Sequence, residues 1–73
     1  MNNTLSPQRV YAINQFKGVL DVLSKQGLLD VLKYNYGVVH PEMGELSSLH
    51  HKELVQAILV KEYGAADVEA FNA

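Results

Sequence analysis

The segment GVLDVLSKQGLLDVLKYNYG, Gly18 to Gly37, carries an Asp-Val-Leu triplet twice, nine residues apart. Nine residues make about two and a half turns of α-helix, so in one unbroken helix the two copies face opposite sides. A small core buries both copies more easily if the chain bends between them. Gly27 follows Lys25 and Gln26, and a glycine in that place takes the left-handed conformation that closes helices. The reading is therefore two helices meeting near Gly27, with Leu20 and Leu23 facing Leu28, Leu29 and Leu32. The competing reading is one long helix whose second apolar face is left for a partner, in which Gly27 costs about 1 kcal/mol.

The other elements follow from the same kind of punctuation. Ser6-Pro7 sets an N-cap residue before a proline at the first helical position, where its missing N–H costs nothing. Val10, Ile13, Phe16, Leu20 and Leu23 recur at threes and fours, which predicts a helix from about Pro7 to Lys25. The helix breakers Gly37, Pro41 and Gly44 then predict a structured loop, with Val38 and Val39 tucked over the core and Met43 as an exposed anchor. A third helix is predicted from Leu46 or Leu49 to Tyr63, capped by Ser47 or Ser48 and stopped by Gly64. Ala65 to Phe71 have helical propensity for one or two last turns that dock Val68 and Phe71, leaving Asn72 and Ala73 frayed. The expected fold class is all-α, a small orthogonal three- or four-helix domain with an irregular loop before the third helix.

A chain of 73 residues forms one domain, residues 1–73, with 1–6 expected as a flexible N-terminal arm. At this size folding buries only about 60% of the extended surface. There is no cysteine, so neither a disulfide nor a thiolate zinc site can staple the fold, and aliphatic packing must hold it. Apolar types make up 48% of the residues and charged types 19%, so some apolar side chains are expected on the outside. MNNTLSPQR lacks a basic-then-apolar signal pattern, and no apolar run reaches membrane-spanning length, so the cytoplasm is the expected compartment.

Charge is unevenly divided. Arg9, Lys17, Lys25 and Lys33 stand against Asp21 and Asp30 in residues 1–36, a balance of +2. Lys52 and Lys61 stand against Glu42, Glu45, Glu53, Glu62, Asp67 and Glu69 in the remainder, a balance of −4. Such a dipolar chain suits a protein surface of complementary sign, or its own antiparallel helices, better than a long duplex. The four basic residues of the first half are spaced by eight, about 80° per step on an ideal helix, so they spread around it. A helix-turn-helix also wants a tighter turn than Gly37 to Glu45 before its reading helix. A small helical DNA-binding regulator is thus the alternative reading, and it requires these four cations on one continuous patch.

The most site-like cluster is HPEMGELSSLHHKE, which gathers His40, Glu42, Glu45, His50, His51 and Glu53. Imidazoles and carboxylates are the donors of a zinc or nickel site, and His50 and Glu53 share a helix face. HHKEL nonetheless lacks the two histidines four apart of a metallopeptidase helix, and solvated residues at a helix start are the plainer reading. Ser24, Ser47 and Ser48 are explained by helix ends before nucleophilic chemistry, and the glycines never cluster as a phosphate cradle does. No enzyme, cofactor, metal or small-molecule substrate is expected.

Tyr34 and Tyr36 flank Asn35, Tyr63 ends the third helix, and Tyr11 lies early in the first. A ring with a hydroxyl handle serves equally as an interface anchor or at the edge of a core. Taken whole, a cysteine-free acidic chain of 73 residues, with the polar arm MNNTLSPQR ahead of short helices, resembles the small host RNA polymerase-binding transcription regulators of Xanthomonas phage. The resemblance spans the full length and rests on length and overall character. It implies binding to the amino-terminal part of the largest catalytic subunit of bacterial RNA polymerase, inhibition of host transcription initiation, and an effect on termination. On that implication Asn3, Leu5, Ser6 and Arg9 are candidate contact residues; Tyr34, Tyr36 and Met43 are candidates from their own side-chain chemistry. The residues themselves point to the same broad class: a small, charge-divided domain without pocket chemistry acts by occupying a surface of a larger machine. An exposed apolar strip, or an arm that orders on binding, is its structural signature.

Overall fold

Ser6 accepts a hydrogen bond at Oγ from the Arg9 N–H (3.1 Å), and Pro7 supplies the first helical residue, so α1 runs Pro7–Asp21. The computed structural model describes residues 5–73. After α1 come α2 (Lys25–Tyr36), α3 (Glu42–Ser47), α4 (His51–Tyr63) and α5 (Ala65–Asn72), with no strand among the described residues. This is the small orthogonal all-α assembly read from the sequence, with five helices in place of three or four.

The two Asp-Val-Leu copies do lie on separate helices, but the bend is not at Gly27. Ser24 makes it. Its hydroxyl accepts from the Gly27 N–H (3.1 Å), which starts α2 at Lys25 and leaves Gly27 inside the first turn. A serine cap satisfies one of the N–H groups that a helix start leaves open, and that outweighs the tendency of a glycine three residues on to end a helix. Lys25 therefore belongs to α2 and not to α1. Across the corner Leu20, Leu28 and Leu32 are fully buried, with Leu23 and Leu29 packed against them.

Gly37 ends α2 in the left-handed region (φ 67°), and the Leu32 carbonyl accepts from the Val38 N–H (3.1 Å). Val38 is buried there, whereas Val39 is 68% exposed, so only one of the two valines covers the core. The expected loop up to Gly44 is corrected as well: it ends at Pro41, and Gly44 lies inside α3. Met43, expected as an exposed anchor, is half-buried against the core, because α3 turns that side inward beside Leu46. Ser47 and Ser48 do not cap α4. Their hydroxyls donate back to the Gly44 and Glu45 carbonyls (2.8 and 2.7 Å) and close α3, while His50 takes the cap position of α4.

α4 is the packing centre. Leu54, Val55, Ile58 and Leu59 are all buried, and α1, α2 and α5 pack on it. Ile13 and Leu20 of α1, Leu28 and Leu32 of α2, Leu46 of α3 and Val68 of α5 complete the core, with Val38 from the connection. Each fully buried aliphatic side chain contributes about 1.5–3 kcal/mol. Gly64, at φ 90°, turns the chain directly from α4 into α5, a conformation that suits glycine. Val68 and Phe71 dock as read from the sequence, but Asn72 is not frayed: its side chain donates to Gln56 Oε1 (2.8 Å).

The position of the bend is testable by thermal unfolding. Ser24→Ala is expected to remove the α2 cap at a cost of about 1 kcal/mol, lowering Tm by about 4–8 °C. Gly27→Ala, whose added Cβ meets Leu23 Cβ at an ordinary 3.4 Å, is expected to hold or raise Tm. The opposite ranking would return the bend to Gly27.

Candidate functional site

The histidine and carboxylate cluster disperses into helix ends. The Glu53 carboxylate accepts from the His50 N–H (2.9 Å), one arm of a capping box. The Leu23 carbonyl lies 2.6 Å from His51 Nε2; a carbonyl can only accept, so that nitrogen carries the proton and donates. This bond ties the start of α4 to the corner between α1 and α2. Glu42 pairs with Lys61 at 3.0 Å. Among the described residues no three histidine or acidic side chains gather as a metal site would require.

The basic residues of the first half are divided between two helices, and two of them are engaged. Arg9 pairs with Asp67 (3.6 Å), bringing α1 to α5, and Lys17 pairs with Asp21 along α1 (3.0 Å). Lys33 lies over the Tyr34 ring, 5.1 Å from its centroid. Of the expected contact residues, Asn3 lies outside the described residues. Leu5 packs against the core, Ser6 caps α1, and Arg9 also sits 5.3 Å from the Tyr63 ring centroid. Tyr34 is 73% exposed, far more than Tyr36 or Met43.

Tyr36 and Tyr63 each immediately precede the glycine that ends their helix, and those two ends meet the side of α1. Together they form a shallow, open groove of about 530 Å³, lined by Ala12, Gln15, Phe16 and Val19 of α1, Asn35 and Tyr36 of α2, and Glu62 and Tyr63 of α4. The walls are fixed from several directions. Phe16 meets Tyr63 edge to face at 6.2 Å, the Tyr63 hydroxyl donates to the Ala12 carbonyl (3.3 Å), and the Tyr36 hydroxyl donates to Glu62 Oε1 (2.7 Å). Three aromatic rings and two small aliphatic floors, rimmed by one carboxylate and two amides, can hold the side chains of another protein. Burial, the bond to Glu62 and the nearby carboxylate charge push the Tyr36 hydroxyl up from 10.0 to about 12. Of this set the sequence offered Tyr36 and Tyr63 as contacts or core-edge residues; Glu62, Phe16 and Val19 were missed. The available signal was the Tyr-Gly pair at both helix ends.

Comparison with protein-family models, curated proteins and solved structures found no match to this chain. Among the described residues no helix is long and apolar enough to cross a membrane.

Tyr36 binds its proton more tightly folded than unfolded, so its contribution to stability is complete below pH 10.0 and is lost as pH rises through about 12. An alkaline titration followed by tyrosinate absorbance is expected to show one late component. Tyr36→Phe should delete it, and Glu62→Gln should move it toward 10.0. A late component that survives Tyr36→Phe would remove the Tyr36–Glu62 contact as its cause.

Proposed function

We propose that this chain is a non-enzymatic interaction domain that acts by covering part of a larger protein. The partner to test first is bacterial RNA polymerase, at the amino-terminal part of its largest catalytic subunit, with inhibited transcription initiation and altered termination as the result. The resemblance supplies the identity of that machine. What supports docking to a protein is the outer face of α1.

Tyr11, Gln15 and Gly18 of α1 and Val22, its C-cap residue, fall within about 60° of arc, at the four-three-four spacing of a two-helix seam. Tyr11 is 67% and Val22 83% exposed, and Val19, at 58%, joins this uncharged face to the aromatic groove. Gly18 is the telling residue. A glycine in mid-helix costs about 1 kcal/mol relative to alanine, yet a Cβ added there meets nothing within 4 Å, so the fold does not require it. A bare backbone in an apolar strip admits close approach by a partner chain.

On this reading Tyr11, Val19 and Val22 supply most of the affinity, while the divided charge sets orientation and encounter rate. Interference with the polymerase is steric or allosteric. Duplex binding is less favoured, because Arg9 and Lys17 already face carboxylates within the chain.

Binding to purified bacterial RNA polymerase, with promoter-dependent transcript yield, tests the proposal using the full chain. Gly18→Ala is expected to raise Tm while weakening binding about tenfold, a divergence that loss of folding cannot produce. Val22→Asp is expected to weaken binding comparably with stability within about 0.5 kcal/mol of the parent. The proposal fails if both variants bind and inhibit like the parent. It fails equally if the chain ignores polymerase and instead shifts duplex DNA in a salt-dependent way.

A further inference from the structure

We infer that the groove between α1 and the ends of α2 and α4 takes a basic side chain, arginine or lysine, carried on an apolar segment of the partner protein. The inference rests on reading the groove as part of the docking surface, and it adds the chemistry of what enters.

Two features of the groove are negative. Asn35-Tyr36 are the last residues of α2 before Gly37, so a helix C-terminus, equivalent to about half a negative charge, lies at one rim; the C-terminus of α4 beside Glu62-Tyr63 is offset by the N-terminus of α5, which starts at the same Gly64. Glu62 adds a full carboxylate. It accepts from the Tyr36 hydroxyl, and among the described residues it stands in no ion pair. The lysines in the last turns of these helices are directed elsewhere, Lys61 to Glu42 and Lys33 to the Tyr34 ring.

The rings add a second selection. A guanidinium or ammonium is attracted to an aromatic face; Arg9 already holds that position over Tyr63, which leaves Tyr36 and Phe16 as the other rings lining the groove. Arginine matches both parts of the site, since its planar fork stacks on a ring while donating to a carboxylate. Ala12, Phe16 and Val19 on the α1 side require apolar neighbours in the incoming segment. The Glu62 carboxylate disfavours an incoming phosphate. The raised Tyr36 proton affinity comes first from burial, with the Glu62 hydrogen bond and charge adding to it.

The test is a nitrogen-15 amide titration of the full chain with three blocked tripeptides: Leu-Arg-Leu, its citrulline analogue of nearly equal shape without charge, and Leu-Glu-Leu. The arginine peptide is expected to shift the amides of Ala12, Phe16, Val19, Tyr36 and Tyr63, binding about tenfold more tightly than the citrulline peptide. Glu62→Gln should abolish that preference. Tyr36→Phe, which frees the Glu62 carboxylate, should keep or increase it, and the spectra themselves report whether each variant is folded. Equal shifts from arginine and citrulline peptides at the groove would overturn the charge inference and leave the docking reading standing. Shifts centred on other acidic residues, such as Glu45 and Glu69, would overturn it as diffuse attraction. No groove shifts from any peptide would also overturn the inference, whereas the docking reading falls only by the polymerase-binding test.

Discussion

Everything in this fold depends on covering α4. Leu54, Val55, Ile58 and Leu59 need aliphatic cover on more than one side, and α1, α2 and α5 supply it. Burial of this kind is non-directional. No polar side chain among the described residues is buried in the core to fix angles. Direction comes from the helix ends: Ser6 and Ser24 decide where α1 and α2 begin, Glu53 closes the start of α4, and His51 fastens that start to the Leu23 carbonyl. The aromatic groove follows from the same arrangement, because it forms where two helices stop beside a third.

Those ends also mark what could be read from the sequence. Pro7, Gly37 and Gly64 gave their boundaries correctly: Pro7 has a fixed helical φ and no N–H to lose, and at Gly37 and Gly64 the chain takes a positive φ that no neighbouring cap opposes. Gly27 and Gly44 misled because glycine permits a break without compelling one, and neighbouring residues had already satisfied the helix termini. Ser24 was visible but was read as lying near a helix end, not as the cap that starts the next helix. The site was less legible. Tyr36 and Tyr63 were noticed singly, but Glu62 reaches Tyr36 through packing of α2 against α4, and Phe16 reaches Tyr63 through packing of α1 against α4, long-range contacts that local spacing does not encode.

The outer face of α1 shows how a small domain divides its apolar residues. Ile13 and Leu20 serve the core, while Tyr11, Val19 and Val22 are left in water with few charges beside them. A chain of this size holds only about 4–11 kcal/mol of stability. Side chains that contribute nothing to that total, placed beside a helix-weakening glycine, have a physical rationale once a second surface covers them. The groove supplies polarity at one edge of the same region, so affinity and orientation have separate sources within a short distance.

A core made wholly of aliphatic side chains constrains volume more than identity. Leucine, methionine and isoleucine exchange in such an interior for less than about 1.5 kcal/mol when total volume is kept. Over evolutionary drift, Leu28, Leu54 or Ile58 can therefore change type while the five helices persist. Gly37 and Gly64 have no comparable substitutes, because their backbone angles exclude most side chains. A side chain added at either glycine therefore reaches further than an exchange in the interior, because it displaces the end of a helix and with it a wall of the groove.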